Sequence, residues 1–513
     1  MTPGQVTDTL KPPIELQPAQ PAPGVSTPRP QARPSGAGGA TITVQRFEFE
    51  GNTQFDDARL AALLTGYLNQ PVNLLDLYDA ADHVAQFYAD HGYALASVNV
   101  PPQKVSGGTI LLQVAEGRVG DISVVNGRWY QPDHIKSYLG SFSSGEPYRS
   151  EPLQEALRVI NTLPGLTAKA TVRPGGEDGT SDVQIDVAER HFEGGLSLDN
   201  YGRESIGEFR STGYLVVNNP TRVADQLKVV GLISEDSLLK YGHVDYSVPL
   251  NHAGTRVRLG YSHAEFSVDD SPVDGKSRYG EVMLDHPLLA DGRQQLTGSI
   301  GVSRSLSNAD FSGIVFSQTS ITLLETALAY SRTHDSGAVT QVSTALSSNF
   351  QKQEIADFAN GDVDGKQRIK WELDLQHLMR LTTAFQLYLR LNGVYSPDPL
   401  SDPEKYSLGG PYSIRAFPAS EIRGDSGFFE TVELRHRRNL GSATLVTRLF
   451  VDGGRVYAVD APDPDSLSDI GIGGDLIWQP LRLKLDWAYP LNDRNVSDGR
   501  DSGRVFGSVA VTF

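Results

Sequence analysis

The chain has 513 residues, a net charge of −17 and no cysteine. Without cysteine there are no disulfides, thiolate metal sites or thiol catalysis, and the acidic balance argues against a nucleic-acid partner, which needs a basic face. Mean hydropathy is −0.29 and there is no apolar run of about 18 residues, which rules out a membrane-crossing helix. A barrel stays possible, because it spends only half of its strand residues on lipid.

Met1 is followed by Thr-Pro-Gly-Gln, with no basic or apolar leader segment. A membrane barrel then implies a mature form carrying an added start Met. Residues 1–40 are rich in proline (Pro12, Pro13, Pro18, Pro21, Pro23) and then glycine (Gly36, Gly38, Gly39). Proline fixes φ and removes donors, so this stretch reads as an extended linker.

Residues 41–117 read as strand, helix, helix, strand, strand. Thr41 to Glu50 alternates, and Gly51-Asn52 turns the chain. Asp56 can cap a helix carrying Leu60, Leu63, Leu64 and Leu68. A second helix, from about Leu75 to Asp90, puts Leu77, Ala80, Val84 and Phe87 on one face. His91-Gly92 stops it, glycine being suited to a left-handed cap. Ala96 to Val100 and Thr109 to Val114 follow as strands. Residues 118–190 repeat the order, with strands at Gly120 to Val125, Thr167 to Val172 and Asp182 to Val187 and helices at Pro132 to Leu139 and Glu151 to Asn161. Two successive βααββ units predict a duplicated small α+β domain.

Residues 191–513 contain no helical pattern and alternate with period two. Trp371, Leu373 and Leu375 oppose Lys370, Glu372, Asp374 and Gln376. Phe385, Leu387, Leu389 and Leu391 oppose Gln386, Tyr388, Arg390 and Asn392. Leu481, Leu483, Leu485 and Trp487 oppose Arg482, Lys484 and Asp486. Such strands suit lipid outside and water inside. The run Val505, Gly507, Val509, Val511, Phe513 ends the chain on an aromatic residue, as in a bacterial outer-membrane barrel. At about 20 residues per strand and turn, the segment holds about 16 antiparallel strands. Phe192 to Asn200 and Thr255 to His263 are well patterned, whereas Gln226 to Ile233 and Ala338 to Ala345 are weak. Asn251 to Gly254 and Ala290 to Gly292 fit short hairpin turns. The interval 396–425 is too long for a turn, and such loops are commonly functional.

Three stretches carry a family resemblance. The first runs from Phe87 through Gly92-Tyr93 to Pro101-Pro102-Gln103 and on to Glu116-Gly117. The second is Gly409-Gly410-Pro411-Tyr412-Ser413-Ile414-Arg415-Ala416-Phe417, followed by Gly424-Asp425-Ser426-Gly427. The third is Phe450-Val451-Asp452-Gly453-Gly454. In order and spacing they resemble the two-partner secretion translocators of the outer membrane, the ShlB/FhaC type of the outer membrane protein 85 superfamily, over residues 41 to 513. The resemblance implies two periplasmic POTRA domains (41–117 and 118–190) and a barrel (191–513) whose loop 396–425 folds into the lumen. It implies no enzyme activity, cofactor or metal. The partners it implies are an unfolded secreted client of the TpsA type, captured by the POTRA domains, and outer-membrane lipid or lipopolysaccharide.

The loop tip departs from the family's Val-Arg-Gly-Tyr/Phe pattern at Ile414 and Ala416, and Ala416 would resist a positive φ. Residues 1 to 16, with Pro3, Pro12 and Pro13, have room for at most a short form of the family's plug helix.

The resemblance makes Arg415 and Asp452 a lock between loop and barrel. Asp452 shares a face with Arg448 and Phe450, opposite Leu449 and Val451. A confined carboxylate favours a guanidinium, which offers two parallel donors. Inward charges such as Arg256, Arg258, Arg390 and Lys484 predict a wet lumen. Ala96 to Val100 and Leu166 to Val172 are candidate sheet edges where a client could add a strand. His243, Asp245 and Ser247 alternate on one strand face as a lumen-facing polar row, since side chains two apart cannot relay a proton. His436, between Arg435 and Arg437, belongs to a solvated basic cluster. An assembly factor for other outer-membrane proteins is the alternative function, because it shares the loop and strand motifs. A passive porin leaves residues 41–190 unexplained, and a barrel lipase lacks a nucleophile set.

Overall fold

The computed structural model describes residues 39–177, 179–349, 367–461, 463–492, 496–500 and 502–513, and the backbone alone of the short strands Val25–Ser26 and Glu354–Asp357. Residues 1 to 16, the place of any plug helix, lie outside the described residues. Two compact units meet in sequence between Glu189 and Arg190.

In the N-terminal unit, β1 (Arg46–Glu50), α1 (Asp57–Leu63), α2 (Leu74–Asp90), β2 (Ser97–Asn99) and β3 (Thr109–Ala115) form the first domain. β3 is central, parallel to β1 and antiparallel to β2. Alternation puts Phe47, Phe49, Ile110 and Leu112 on one face, and Leu60, Leu77, Val84 and Tyr88 of the helices cover it. Asp56 accepts the Arg59 amide at the start of α1, and a capping box of Asn73 and Asp76 starts α2. Gly92, at φ +91, ends α2.

The apolar face of α2 closes on Tyr88, which is fully buried, and Phe87 is only half-buried. The reason is polar: the Tyr88 hydroxyl donates to Glu116 at 2.9 Å. The same carboxylate accepts the amides of Thr53 and Gln54 at 2.6 and 2.8 Å. Burial alone would raise the Glu116 pKa, but the Thr53 hydroxyl and these amides hold it below the ordinary carboxylate range.

The second domain repeats the order as β4 (Arg118–Val125), α3 (Pro132–Lys136), α4 (Ser150–Ile160), β5 (Leu166–Pro174) and β6 (Thr180–Glu189). β6 is central, between β4 and β5. The domains meet through Gly92, whose carbonyl accepts the Ser150 amide at 3.0 Å, and Gly117, whose carbonyl accepts the Tyr148 amide at 2.9 Å. The Arg149 guanidinium lies 5.9 Å from the Tyr93 ring centroid.

Leu166 to Val172, expected to offer an open edge, is partly covered. Val25–Ser26 pairs with β5 in parallel, opposite Ala170 and Thr171. An unpaired strand edge takes whatever extended backbone reaches it, and here the proline-rich segment does. β2, the other expected edge, is three residues long.

The C-terminal unit is a closed antiparallel barrel. Its first eight strands are β7 (Phe192–Asp199), β8 (Arg210–Asn218), β9 (Gln226–Ser234), β10 (Leu239–Pro249), β11 (Arg256–Ser267), β12 (Val273–Ala290), β13 (Gln294–Phe311) and β14 (Ile314–Thr333). The other eight are β15 (Val339–Asn349), β16 (Ile369–Arg380), β17 (Phe385–Tyr395), β18 (Ser426–Leu440), β19 (Ala443–Tyr457), β20 (Asp465–Trp478), β21 (Leu481–Pro490) and β22 (Arg504–Thr512). β22 pairs back onto β7. Glu354–Asp357 pairs with β14 beside β15 and shares its place in the ring, so the barrel has the 16 strands expected.

Inside and outside follow the alternation. On β19, Leu449 and Val451 are 57% and 46% exposed, whereas Phe450 and Asp452 are 2% and 0% exposed. The weakly patterned β9 and β15 are full members, held by pairing on both sides. β12, β13 and β14 run to 18, 18 and 20 residues, well beyond the roughly ten needed to cross a bilayer.

Candidate functional site inside the barrel

The loop 396–425 leaves β17 and returns to β18 across the lumen. Asp425 ties its base, accepting the Leu400 amide at 2.7 Å and the Val459 amide at 2.8 Å. A ribbon of Tyr406–Leu408 and Ile422–Gly424 stiffens it. Gly409 and Gly410 then turn with φ of +109 and +100, conformations that side chains resist. The Gly410 amide donates to the Phe417 carbonyl at 2.9 Å, which closes the tip. Ala416 is not among the positive-φ residues, so its methyl group costs the tip nothing.

The tip is anchored by apolar burial and by charge. Ile414, Ala416 and Phe417 are fully buried in a cluster with Leu408, Phe429 and Phe450. Arg415 reaches the wall with all three guanidinium nitrogens. Its Nε and Nη2 donate to the two oxygens of Asp452 at 2.7 and 2.8 Å, and its Nη1 donates to Glu433 at 2.8 Å. Thr431 Oγ1 donates to Asp452 at 2.8 Å, and the Ala416 amide donates to Asp469 at 2.6 Å. The guanidinium also lies 3.3 Å from the centroid of the Phe450 ring, a cation–π contact away from water.

Glycine makes room for this packing. A Cβ at Gly454 would lie 2.6 Å from the Phe428 carbonyl oxygen and 2.9 Å from Leu408 Cδ1. At Gly427 it would lie 2.5 Å from Tyr406 Cδ1 and 2.7 Å from the Arg455 carbonyl oxygen. Larger residues at either position would push the ribbon off the wall.

The sequence reading missed Thr431, Glu433 and Asp469. The signal was present, since Thr431, Glu433 and Arg435 alternate with Val432 and Leu434. Arg435 is not part of a solvated basic cluster: its Nε donates to Glu433 at 2.7 Å. His436, on the opposite face, packs on Phe385 with ring centroids 4.9 Å apart. Nearby, Arg448 bridges Asp475 and Asp486 at 2.7 and 2.8 Å, and Arg390 donates to Asp374 at 2.7 Å. The lumen is therefore not uniformly wet. One side holds a dry apolar cluster ringed by paired charges.

The remaining motif residues shape the first domain. Gln103 bonds the Leu111 backbone in both directions at 2.8 Å, just beyond Pro102, and extends β3 pairing past the end of β2. Tyr93 donates to Gln54 at 2.9 Å, and Gly117 takes φ +69 beside Leu95. Among the described residues, no group of three or more His, Asp or Glu side chains is arranged to hold a metal.

A closed barrel with an apolar outer face, an inward loop pinned to its wall and two preceding α+β domains defines an outer-membrane translocation barrel. Residues 179–475 match the family described as haemolysin secretion/activation protein ShlB/FhaC/HecB, and residues 42–117 match the ShlB-type POTRA domain. The chain belongs to the ShlB/FhaC/HecB family. It is a translocator that secretes a partner protein across the outer membrane, with its N-terminal domains in the periplasm.

The chain is 24% identical over 499 residues to hemolysin transporter protein ShlB of Serratia marcescens, covering 90% of this chain and 85% of that one. It is 25% identical over 408 residues to heme/hemopexin transporter protein HuxB of Haemophilus influenzae, covering 77% and 72%. CdiB from Escherichia coli shares the fold with a TM-score of 0.71 at 22% identity, covering 94% of this chain and 93% of that one.

Proposed function

We propose that the chain exports a large client of the TpsA type in unfolded form, and that Arg415 holds the loop against β18 to β20 while the client passes. The observation that carries this reading is the two-pronged bond from Arg415 to Asp452, reinforced by Glu433. A buried guanidinium with two carboxylates is costly to release, so the loop is a fixed wall of the channel. The opposite inner wall is left for the client. Hydroxyls of Ser277, Ser303, Ser307, Ser317 and Thr319 lie on it beside the carboxylates Glu281 and Glu325, and hydroxyls offer an unfolded chain little to stick to.

In the periplasm, the POTRA domains capture the client as an added strand through main-chain hydrogen bonds that do not depend on its sequence. With β5 engaged by Val25–Ser26, the outer edges of β2 and of Ile122 to Val125 on β4 take this role. Folding of the client outside the cell gives the passage its direction.

Deleting residues 41–190 should abolish secretion, and normal secretion would remove the capture role. Arg415→Ala should reduce client in the medium while the folded barrel stays at its usual level; unchanged secretion would remove the lock.

A further inference from the structure

We propose that the outer surface of β10 to β13, just above the apolar belt, binds the phosphorylated headgroup of lipopolysaccharide. The proposal rests on the outer-membrane reading and names the lipid contact within it. Cross-strand register sorts the outward side chains into rows. Tyr246, Leu259, Val282 and Val302 form one row across the four strands. The next row toward the extracellular end is Val244, Tyr261, Gly280 and Arg304. Above it stand Gly242, His263, Arg278 and Leu306, and then Lys240, Glu265, Lys276 and Asn308.

Rows are about 7 Å apart, so three successive rows form a band about 14 Å tall. The band holds four lysine or arginine side chains and one carboxylate, Glu265, in a chain of net charge −17. Lys276 contacts Glu265 at 3.2 Å. Lys240, Arg278 and Arg304 are exposed and have no carboxylate partner among the described residues. One row further out the sign reverses, with Asp274 and Asp310 facing each other. The positive charge is thus confined to the depth where lipid phosphates meet the apolar rows. On the other side of the barrel, the outward rows of β18 to β21 at the extracellular end carry, among the described residues, Arg455 as their one cation, near Glu430 and between Phe428, Trp487 and Tyr489.

Acyl chains against the apolar rows and phosphates against the band would use both features at once. A soluble anion would use only the upper one. Arginine forks suit phosphate oxygens, and clustered cations gain further from an anionic surface.

The test uses the full chain in mild detergent, with binding read by native mass spectrometry. Wild type and an R332E/R438E control, altered at outward positions near the opposite end, should bind lipopolysaccharide alike. K276E/R278E/R304E should bind it about tenfold less, and wild type should lose a similar factor on dephosphorylated lipopolysaccharide. Equal binding by K276E/R278E/R304E and wild type would overturn the proposal. So would inorganic pyrophosphate binding as tightly as the lipid, which would make the band an ordinary anion site. Gel mobility with and without heating reports the folded barrel separately: a wild type that never forms one would sink the outer-membrane reading instead.

Discussion

The two inner walls of the barrel differ in their chemistry. The wall of β16 to β21 is charged and paired: Arg415, Arg448 and Arg390 each engage carboxylates, and the apolar loop cluster seals the space between them. The wall of β12 to β14 is populated by serine and threonine, and its main charge cluster, Arg258 with Glu281 and Asp285, lies on β11 and β12. Buried ion pairs fix geometry, because removing one partner strands the other charge. Hydroxyls bond to water, to neighbours or to a passing chain at similar cost. On the proposed reading, the first wall holds the loop and the second lets the client slide.

The largest break in this contrast is Arg415→Ala, which leaves Asp452 and Glu433 buried without their cation. Docking of the loop should weaken by about 3–5 kcal/mol, and secretion, normalised to folded barrel, should fall at least tenfold. Arg415→Lys keeps the charge but loses the planar fork and should fall in between. Glu433→Gln leaves the Asp452 pair intact. It should cost about 2 kcal/mol, seen as faster hydrogen exchange at the 409–417 amides with secretion reduced only severalfold.

A carboxylate held by neutral donors sharpens the comparison. Glu116 in the first POTRA domain is held by the Thr53 and Gln54 amides and the Thr53 and Tyr88 hydroxyls, all neutral donors. Its folded pKa lies below the ordinary value of 4.5. Its contribution is therefore complete above about pH 5 and is lost as the pH falls through the folded pKa. Exchange at the Thr53 and Gln54 amides should speed up over that acid range in wild type and be fast at all pH values in Glu116→Ala. The smallest effect should come from Ser307→Ala on β13, costing about 1 kcal/mol in stability and leaving secretion normal.

Much of this was legible in the residues. Period-two alternation sets which side of each barrel strand meets lipid, so Leu449, Val451 and Asp452 could be assigned by parity. The loop was visible as an interval too long for a hairpin between Tyr395 and Ser426. Glycines 409, 410, 427 and 454 were visible only as motif positions, and the structure supplies their reason in positive φ and close backbone approach. The partners of the loop tip on β18 and β20 were harder, because Glu433 lies 18 residues from Arg415 and Asp469 lies 53 residues from Ala416, and only the strand register brings them together. The loop's apolar core was hidden for a related reason: Leu408, Ile414 and Phe417 read as scattered loop residues until the wall behind them is known. Tyr88 was displaced by Phe87 in the helical reading because either fits a 3.6-residue period, and only the Glu116 bond decides between them. The pairing of Val25–Ser26 with β5 has no pattern in the sequence at all.

Cross-linking to an arrested client tests the division of the lumen most directly. A photoreactive residue replaces Ser303 or Ser307 on one wall, or Asp475 or Arg482 on the other, and the client is stalled in transit by a folded C-terminal fusion. Client cross-links are expected from Ser303 and Ser307 and few from the other two positions. Strong cross-links from Asp475 and Arg482, with Ser303 and Ser307 silent, would contradict it.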